Sequence, residues 1–330
     1  MARLTGMSVT SESTKAVAPK RKLSAKPHLV QDKVFFGVAR ASAFGAVALV
    51  GLILVFLFSQ SYETLSSQGL DFILGGKWIS SEHAFQIGPM LWGSVLIAFN
   101  GILLAVPMSI ATAYFIEFLA SNRIAKIATT VVDLLAAIPS IVIGLWGVGV
   151  FSPVAQGWAK LLNESLGFLP FFENKSGSFA GSPFIAGWVV AVMIVPIITS
   201  VTREIFSQLD KDVLNGAVAL GASRSSTFLK VILPTSSGGI VGGVLLGLGR
   251  ALGETVAIFF VLNLSFDINW VDVVENKGGS VASMIVNYFG AASPEEVKAL
   301  LAAGLVLFVL TLIINWIAAI VVAKSQPWRK

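Results

Sequence analysis

Arg250 and Glu254 are the only two charged residues in the apolar stretch from about 236 to 264. A charge at the centre of a bilayer costs about 2.5–3.5 kcal/mol even on lenient insertion scales, so it rarely stands there without a task. The two lie in Gly249-Arg250-Ala251-Leu252-Gly253-Glu254-Thr255, a polar island in a glycine-rich pattern. Residues four apart share one helix face, so the two charges are expected to meet. Two chemistries follow. In one, they form a buried ion pair that fixes helix packing. In the other, Arg250 turns its planar fork to a passing oxyanion, and Glu254 neutralises it when the path is empty. Ser140, beside Pro139, offers a hydroxyl either to the same oxyanion or to its own helix. Asp133 lies about 9 Å into its apolar run at 1.5 Å per residue and reads as a structural charge, paired with Arg123 or Lys126 or with another subunit. Glu117, near the end of its run, is expected to snorkel to water.

The elements that position these groups are transmembrane helices. Apolar residues make up 55% of the 330 and charged residues 12%, against about 25% charged in a typical soluble domain. Six apolar runs are long enough to cross a bilayer, at about 35–59, 90–119, 127–151, 184–205, 236–264 and 297–323. They are continuous rather than alternating, which excludes a barrel. The first is too long for the core of a cleaved signal peptide and is expected to stay as a span. Residues 1–33 read as a disordered basic tail, and 34–330 as one membrane domain. With no cysteine there is no disulfide or thiolate metal site, and His28 and His83 read as solvated surface residues. The net charge of +5 is no nucleic-acid signal, because 17 of the 23 Lys and Arg fall on one side of the six spans. The positive-inside rule puts that side, with both termini, in the cytoplasm.

Breakers interrupt the runs. Pro107, Pro139 and Pro196 fall inside the second, third and fourth, where each is expected to kink a helix. In the fifth, Gly239, Gly243 and Gly247, then Gly249 and Gly253, recur at four-residue spacing, a pattern for close helix packing. Three long connections, 60–89, 152–183 and 265–296, carry Trp78, Trp158, Phe171-Phe172 and Trp270, read as interfacial anchors or as surfaces for a soluble partner. The last also carries Asp267, Asp272 and Glu275.

The connection 206–235 contains Asn215-Gly216-Ala217-Val218-Ala219-Leu220-Gly221-Ala222 and, after a nine-residue gap from Gly221, Val231-Ile232-Leu233-Pro234. The spacing predicts two short helices meeting at Gly221 in left-handed geometry. Ser225 or Ser226 would cap the second, and Pro234 would mark the start of the fifth span. An apolar, small-residue helix facing the cytoplasm invites a covering partner.

This segment resembles the coupling loop of ABC importer permeases, whose pattern is Glu-Ala-Ala, three residues, Gly, nine residues, Ile-x-Leu-Pro. Gly221, Val231, Leu233 and Pro234 fall in register, while Asn215 and Gly216 stand where that pattern has Glu and Ala. Phe85 to Ser94, Leu134 to Gly144 and Gly249 to Thr255 further resemble the permeases of bacterial phosphate importers, of the PstC type. The resemblance covers all six spans. It implies an all-α integral membrane protein of type I ABC importer permease architecture, with a MetI-like core, in the bacterial inner membrane. It also implies a phosphate pathway shared with a homologous PstA-type permease, a PstB-type ATPase dimer at the coupling loop, and a PstS-type phosphate-binding protein outside. A phosphate-sensing signalling protein is a possible further partner. No Gly-x4-Gly-Lys-Ser/Thr motif occurs, so the chain is not expected to hydrolyse ATP itself, and the resemblance implies a transport subunit rather than an enzyme. It carries no cofactor, and ATP and Mg belong to the ATPase. Sulfate, molybdate or phosphonate as cargo, and a proton relay through Asp133, Glu117 or Glu254, are the alternatives.

Overall fold

The computed structural model describes residues 29–325, with side chains from 32 to 320. Most of the tail expected over 1–33, including Lys20-Arg21-Lys22 and His28, lies outside the described residues. The chain divides into two units, 1–53 and 54–330. The first contributes the start of α1 (Leu29–Gln68). From Asp32 to Ile53 its side chains are exposed or at most half-buried, with Phe35, Phe36 and Phe44 open. A helix apolar on every side suits a lipid environment.

The second unit begins with the end of α1, followed by α2 (Asp71–Leu74) and a two-stranded antiparallel ribbon, β1 (Trp78–Ile79) and β2 (Ala84–Phe85). α3 (Gly88–Tyr114) carries Pro89 in its first turn, where a missing N–H costs nothing. It runs on through a π-helical turn, Phe115–Leu119. α4 (Asn122–Ala137) precedes α5 (Ser140–Trp146), which continues through a second π turn, Gly147–Phe151, into α6 (Ser152–Leu166). α7 (Pro183–Ser207) is buried along most of its length. Then come α8 (Lys211–Ala219), α9 (Arg224–Thr227), a third π turn (Phe228–Ile232) and α10 (Leu233–Gly253). α11 (Val256–Val261), α12 (Val281–Phe289) and α13 (Pro294–Ser325) complete the chain.

Six helices are long and apolar enough to span a membrane: Asp32–Gln68, Gly88–Leu119, Ser140–Leu166, Pro183–Ser207, Arg224–Gly253 and Pro294–Ile320. Two differ from the runs read in the sequence. The run 127–151 is cut at Ile138 and Pro139, which both take extended geometry (ψ 127° and 138°). Proline forces its predecessor out of the helical region, and here that ends the helix rather than kinking it. The fifth run is cut too. Its helix starts upstream at Arg224, so Pro234 lies inside a continuous helix, and it stops at Gly253.

α7 is the hub, packed against α3, α10 and α4. Small residues allow the approach. A methyl group on Gly101 would lie 3.0 Å from Val190, and one on Gly243 would lie 3.1 Å from two carbons of Val201. Gly239 and Gly247 meet Ile205 and Ile198 in the same seam. Gly249 and Gly253 do not extend it: the nearest atom to a methyl on Gly249 is on Asn315 at 4.0 Å, and nothing lies within 4 Å of one on Gly253.

Candidate functional site

The expected meeting of Arg250 and Glu254 on one helix face does not occur. α10 ends at Gly253, and Glu254 is extended (φ −68°, ψ 125°), so the chain turns before the fourth residue completes the face. Glu254 is 8% exposed, and its Oε1 accepts the backbone N–H of Ala257 at 3.3 Å. The carboxylate thereby satisfies one of the bare donors at the start of α11, where negative charge is also favoured. Thr255 donates its hydroxyl to the Gly253 carbonyl at 3.1 Å and steadies the same bend. Arg250 is exposed on α10, and among the described residues neither charge enters an ion pair. Among the described residues, Arg250 and Glu254 form no ion pair with each other.

The break at Glu254 lies beside the one at Pro139. α5 and α11 pack directly, with a methyl on Gly144 falling 2.9 Å from the Ala257 Cα and 3.0 Å from the Phe260 ring. Ser140, at half-burial, opens α5 one turn (about 6 Å) before that contact. Asp133 is exposed on α4 and pairs with neither Arg123 nor Lys126. Arg203 of α7 instead reaches α4 through a hydrogen bond to Thr129. Glu117 is exposed at the end of the second span.

The loop after α7 takes the form its spacing predicts. Asp210 caps α8 by accepting from the Asp212 N–H at 2.9 Å. Gly221 has φ +80°, and the Ala222 and Gly221 N–H groups return to the Ala217 and Val218 carbonyls at 3.1 and 2.9 Å, closing the helix end. The cap of α9 is Ser223, whose hydroxyl accepts from the Ser226 N–H at 3.2 Å, and not Ser225 or Ser226. Asn215 and Gly216 are exposed, Ala217 and Ala222 half-buried. Val231 and Leu233 are half-buried where the helix turns inward, and Pro234 is exposed. Leu220, 91% exposed, and Val218 present bare apolar surface beside them.

At the other end of the molecule the sequence reading missed an interlocked assembly. His83 is solvated as expected, 71% exposed; it takes a left-handed φ of 50° and places Nδ1 2.7 Å from Glu295. Lys298 Nζ lies 2.6 Å from Glu63. Trp78 is half-buried, and its ring packs against Phe85, Phe266 and Tyr288. Trp158 stacks edge-on with Phe151 and Trp188, whereas Trp270 is 64% exposed beside Trp92. Glu275 is buried and pairs with Lys277 at 3.2 Å. Burial, and then the Glu275 charge, holds the Asp272 carboxyl above its ordinary range. The contacts of His83, Lys298 and Trp78 with Glu295, Glu63 and Phe266 join segments far apart in sequence, and no local pattern announces them.

Mid-span helix breaks, a capped loop and a central small-residue seam set the geometry of a helical membrane protein. A family model described as binding-protein-dependent transport system inner membrane component matches residues 105–326, and the chain belongs to that family. It is an ABC-transporter permease component of the inner membrane, not itself catalytic and with no cofactor of its own. Along most of its length it is similar to the phosphate transport system permease proteins PstC. Identity is 32% with that of Pasteurella multocida, over 91% of this chain and 94% of the other. It is 36% with that of Haemophilus influenzae, over 84% and 89%, and 32% with that of Mesorhizobium japonicum, over 94% and 96%. Among solved structures, a bacterial transporter importing the polysaccharide alginate superposes with a TM-score of 0.52 at 16% identity, over 90% of this chain and 100% of that one. The inward-facing MetNI methionine transporter gives 0.50 at 14%, over 72% and 94%. At that identity the likeness is one of fold, the type I ABC importer permease architecture.

Proposed function

We propose that this chain forms half of a phosphate pathway, with Arg250 as its transient oxyanion ligand. The observation that carries the proposal is Arg250 itself, exposed within a membrane-spanning helix and without an ion-pair partner among the described residues. A guanidinium so placed costs several kcal/mol unless a companion subunit, water or an anion meets it. Its planar donor fork matches phosphate geometry. The names of the relatives supply the cargo that the guanidinium alone does not specify. Glu254, committed to capping α11, leaves Arg250 free for that role.

In this reading a PstA-type permease faces Arg250 and Asp133, and a PstS-type protein delivers phosphate at the end bearing Trp270. A PstB-type ATPase dimer sits on α8, with both termini of this chain on the ATPase side. The helix from Arg224 to Gly253 runs from the coupling loop to the Arg250 site, about 39 Å at 1.5 Å per residue. ATPase motion at α8 and α9 would therefore arrive at Arg250 along one rigid element. Labelled phosphate uptake, with sulfate as competitor, tests the proposal. Arg250→Gln should abolish uptake while the complex still assembles in the membrane. Normal uptake by that variant would sink it, as would sulfate competing as well as unlabelled phosphate.

A further inference from the structure

Beneath α8 lies a groove of about 340 Å³, lined by Tyr114, Phe118, Asn215, Val218, Arg224 and Ile232 among others. Two of the three π turns border it, Phe115–Leu119 on one side and Phe228–Ile232 on the other. Such turns are rare and gather at functional places. The floor is aromatic and packed: the Tyr114 ring centroid lies 4.4 Å from that of Phe228 and 5.4 Å from that of Phe118. The only formal charge in the lining is Arg224. It is exposed, and among the described residues it enters no ion pair. Of the nearest acidic residues in sequence, Asp210 is taken up in capping α8, and Asp212 does not line the groove. Val218 belongs both to the groove and to the bare apolar surface that continues through Leu220.

We infer that a carboxylate-bearing, otherwise apolar segment of the ATPase subunit enters this groove and pairs with Arg224. Docking here is then opposite in polarity to that implied by the coupling-loop pattern, in which the permease supplies the acid. The inference rests on the reading of α8 as the ATPase docking element. The argument for the occupant is charge complementarity on a surface continuous with that element. Asn215 stands where the pattern has Glu, and it lines the same groove as Arg224. A glutamate there would neutralise the arginine from within the chain, whereas the neutral amide leaves the guanidinium directed at the partner. An arginine with an apolar floor beside it favours a carboxylate held in a two-pronged contact.

The test uses this chain and its companion permease in nanodiscs of phosphatidylcholine alone, titrated with the purified ATPase subunit at low and high salt. Arg224→Gln should weaken binding about tenfold and flatten its salt dependence, a difference of roughly 1.4 kcal/mol. Arg224→Lys should keep the salt dependence. Asn215→Glu, which restores the residue of the common pattern, should also weaken binding, because the new carboxylate competes for Arg224. Tighter binding by Asn215→Glu would overturn the inference, as would unchanged binding by Arg224→Gln. If adding anionic lipid to wild-type discs reproduces the Arg224→Gln loss, a lipid headgroup holds the arginine and the inference also falls. Leu220→Asp separates the two levels. Its failure to impair binding would remove α8 as the docking element, whereas impaired binding with a silent Arg224 would remove only the paired carboxylate.

Discussion

The α7–α10 seam makes opposite predictions for glycines that look alike in the sequence. Carbon atoms in ordinary contact sit about 3.5–4.0 Å apart, but an alanine methyl at 243 would fall 3.1 Å from both Cβ and Cγ1 of Val201. Valine in a helix is held in one rotamer, so Val201 cannot swing aside. The helices must separate by a few tenths of an ångström, and overpacking of this kind costs about 1–3 kcal/mol. Replacing glycine by alanine in a helix returns up to about 1 kcal/mol, leaving Gly243→Ala destabilised by roughly 1 kcal/mol. At 247 the close atoms are Cδ1 and Cγ1 of Ile198, at 2.9 and 3.0 Å. That side chain ends in a flexible ethyl group, and the cost should be smaller. Gly249→Ala meets nothing nearer than 4.0 Å and should be neutral or stabilising. Thermal unfolding of the purified complex, followed by size-exclusion fluorescence, should rank the variants 249, 247, 243 from most to least stable, with roughly 2–4 °C per kcal/mol. Equal behaviour of the alanines at 243 and 249 would show that the seam does not set the approach of the two helices.

Ser223→Ala should cost the α9 cap about 1 kcal/mol and raise hydrogen exchange over 223–228, while Ser225→Ala leaves exchange there unchanged. Gly221→Ala should strain a left-handed position by about 1–2 kcal/mol and loosen the α8–α9 turn to limited proteolysis. Asp272 carries a pH dependence whose sign is opposite to that of a salt-bridged acid. Its folded value is raised by burial, so the folded state keeps the proton longer than the unfolded one. Stability of the 265–280 loop should be full below the unfolded value and fall as pH rises through the folded one. Asp272→Asn should flatten that fall in loop protection, and an unchanged profile would assign the dependence to another group.

What the sequence carried best was whatever a single segment decides. Six apolar runs, the left-handed turn at Gly221 and the small-residue seam up to Gly247 are each written in composition or spacing within about 30 residues. The failures share a cause. The Arg250–Glu254 pair rested on four-residue helical spacing, which holds only while the helix continues, and no proline marks the stop at Gly253. At Pro139 the breaker was visible, but whether it kinks or ends the helix depends on α11 packing against the restarted segment. The contacts of His83 with Glu295 and of Trp78 with Phe266 and Tyr288 join residues more than 180 positions apart. For the α9 cap, three serines stood within four residues, and only backbone geometry chooses among them.

The breaks at 138–139 and 254–255 also set how far a displacement can travel. A helix continuous through the bilayer would move both ends of the pathway together, and a pathway whose two ends open in step is a leak. Two extended residues at one break, Ile138 and Pro139, and one at the other, Glu254, interrupt adjoining helices at one depth. On one side of that depth lies α10, which in the proposed reading follows the ATPase; on the other, α5 and α11 pack on each other. Replacing Glu254-Thr255 with strong helix formers would then do more than disturb a site. If the breaks let the two ends of the pathway open separately, the expected phenotype is downhill loss of accumulated phosphate rather than simple loss of uptake.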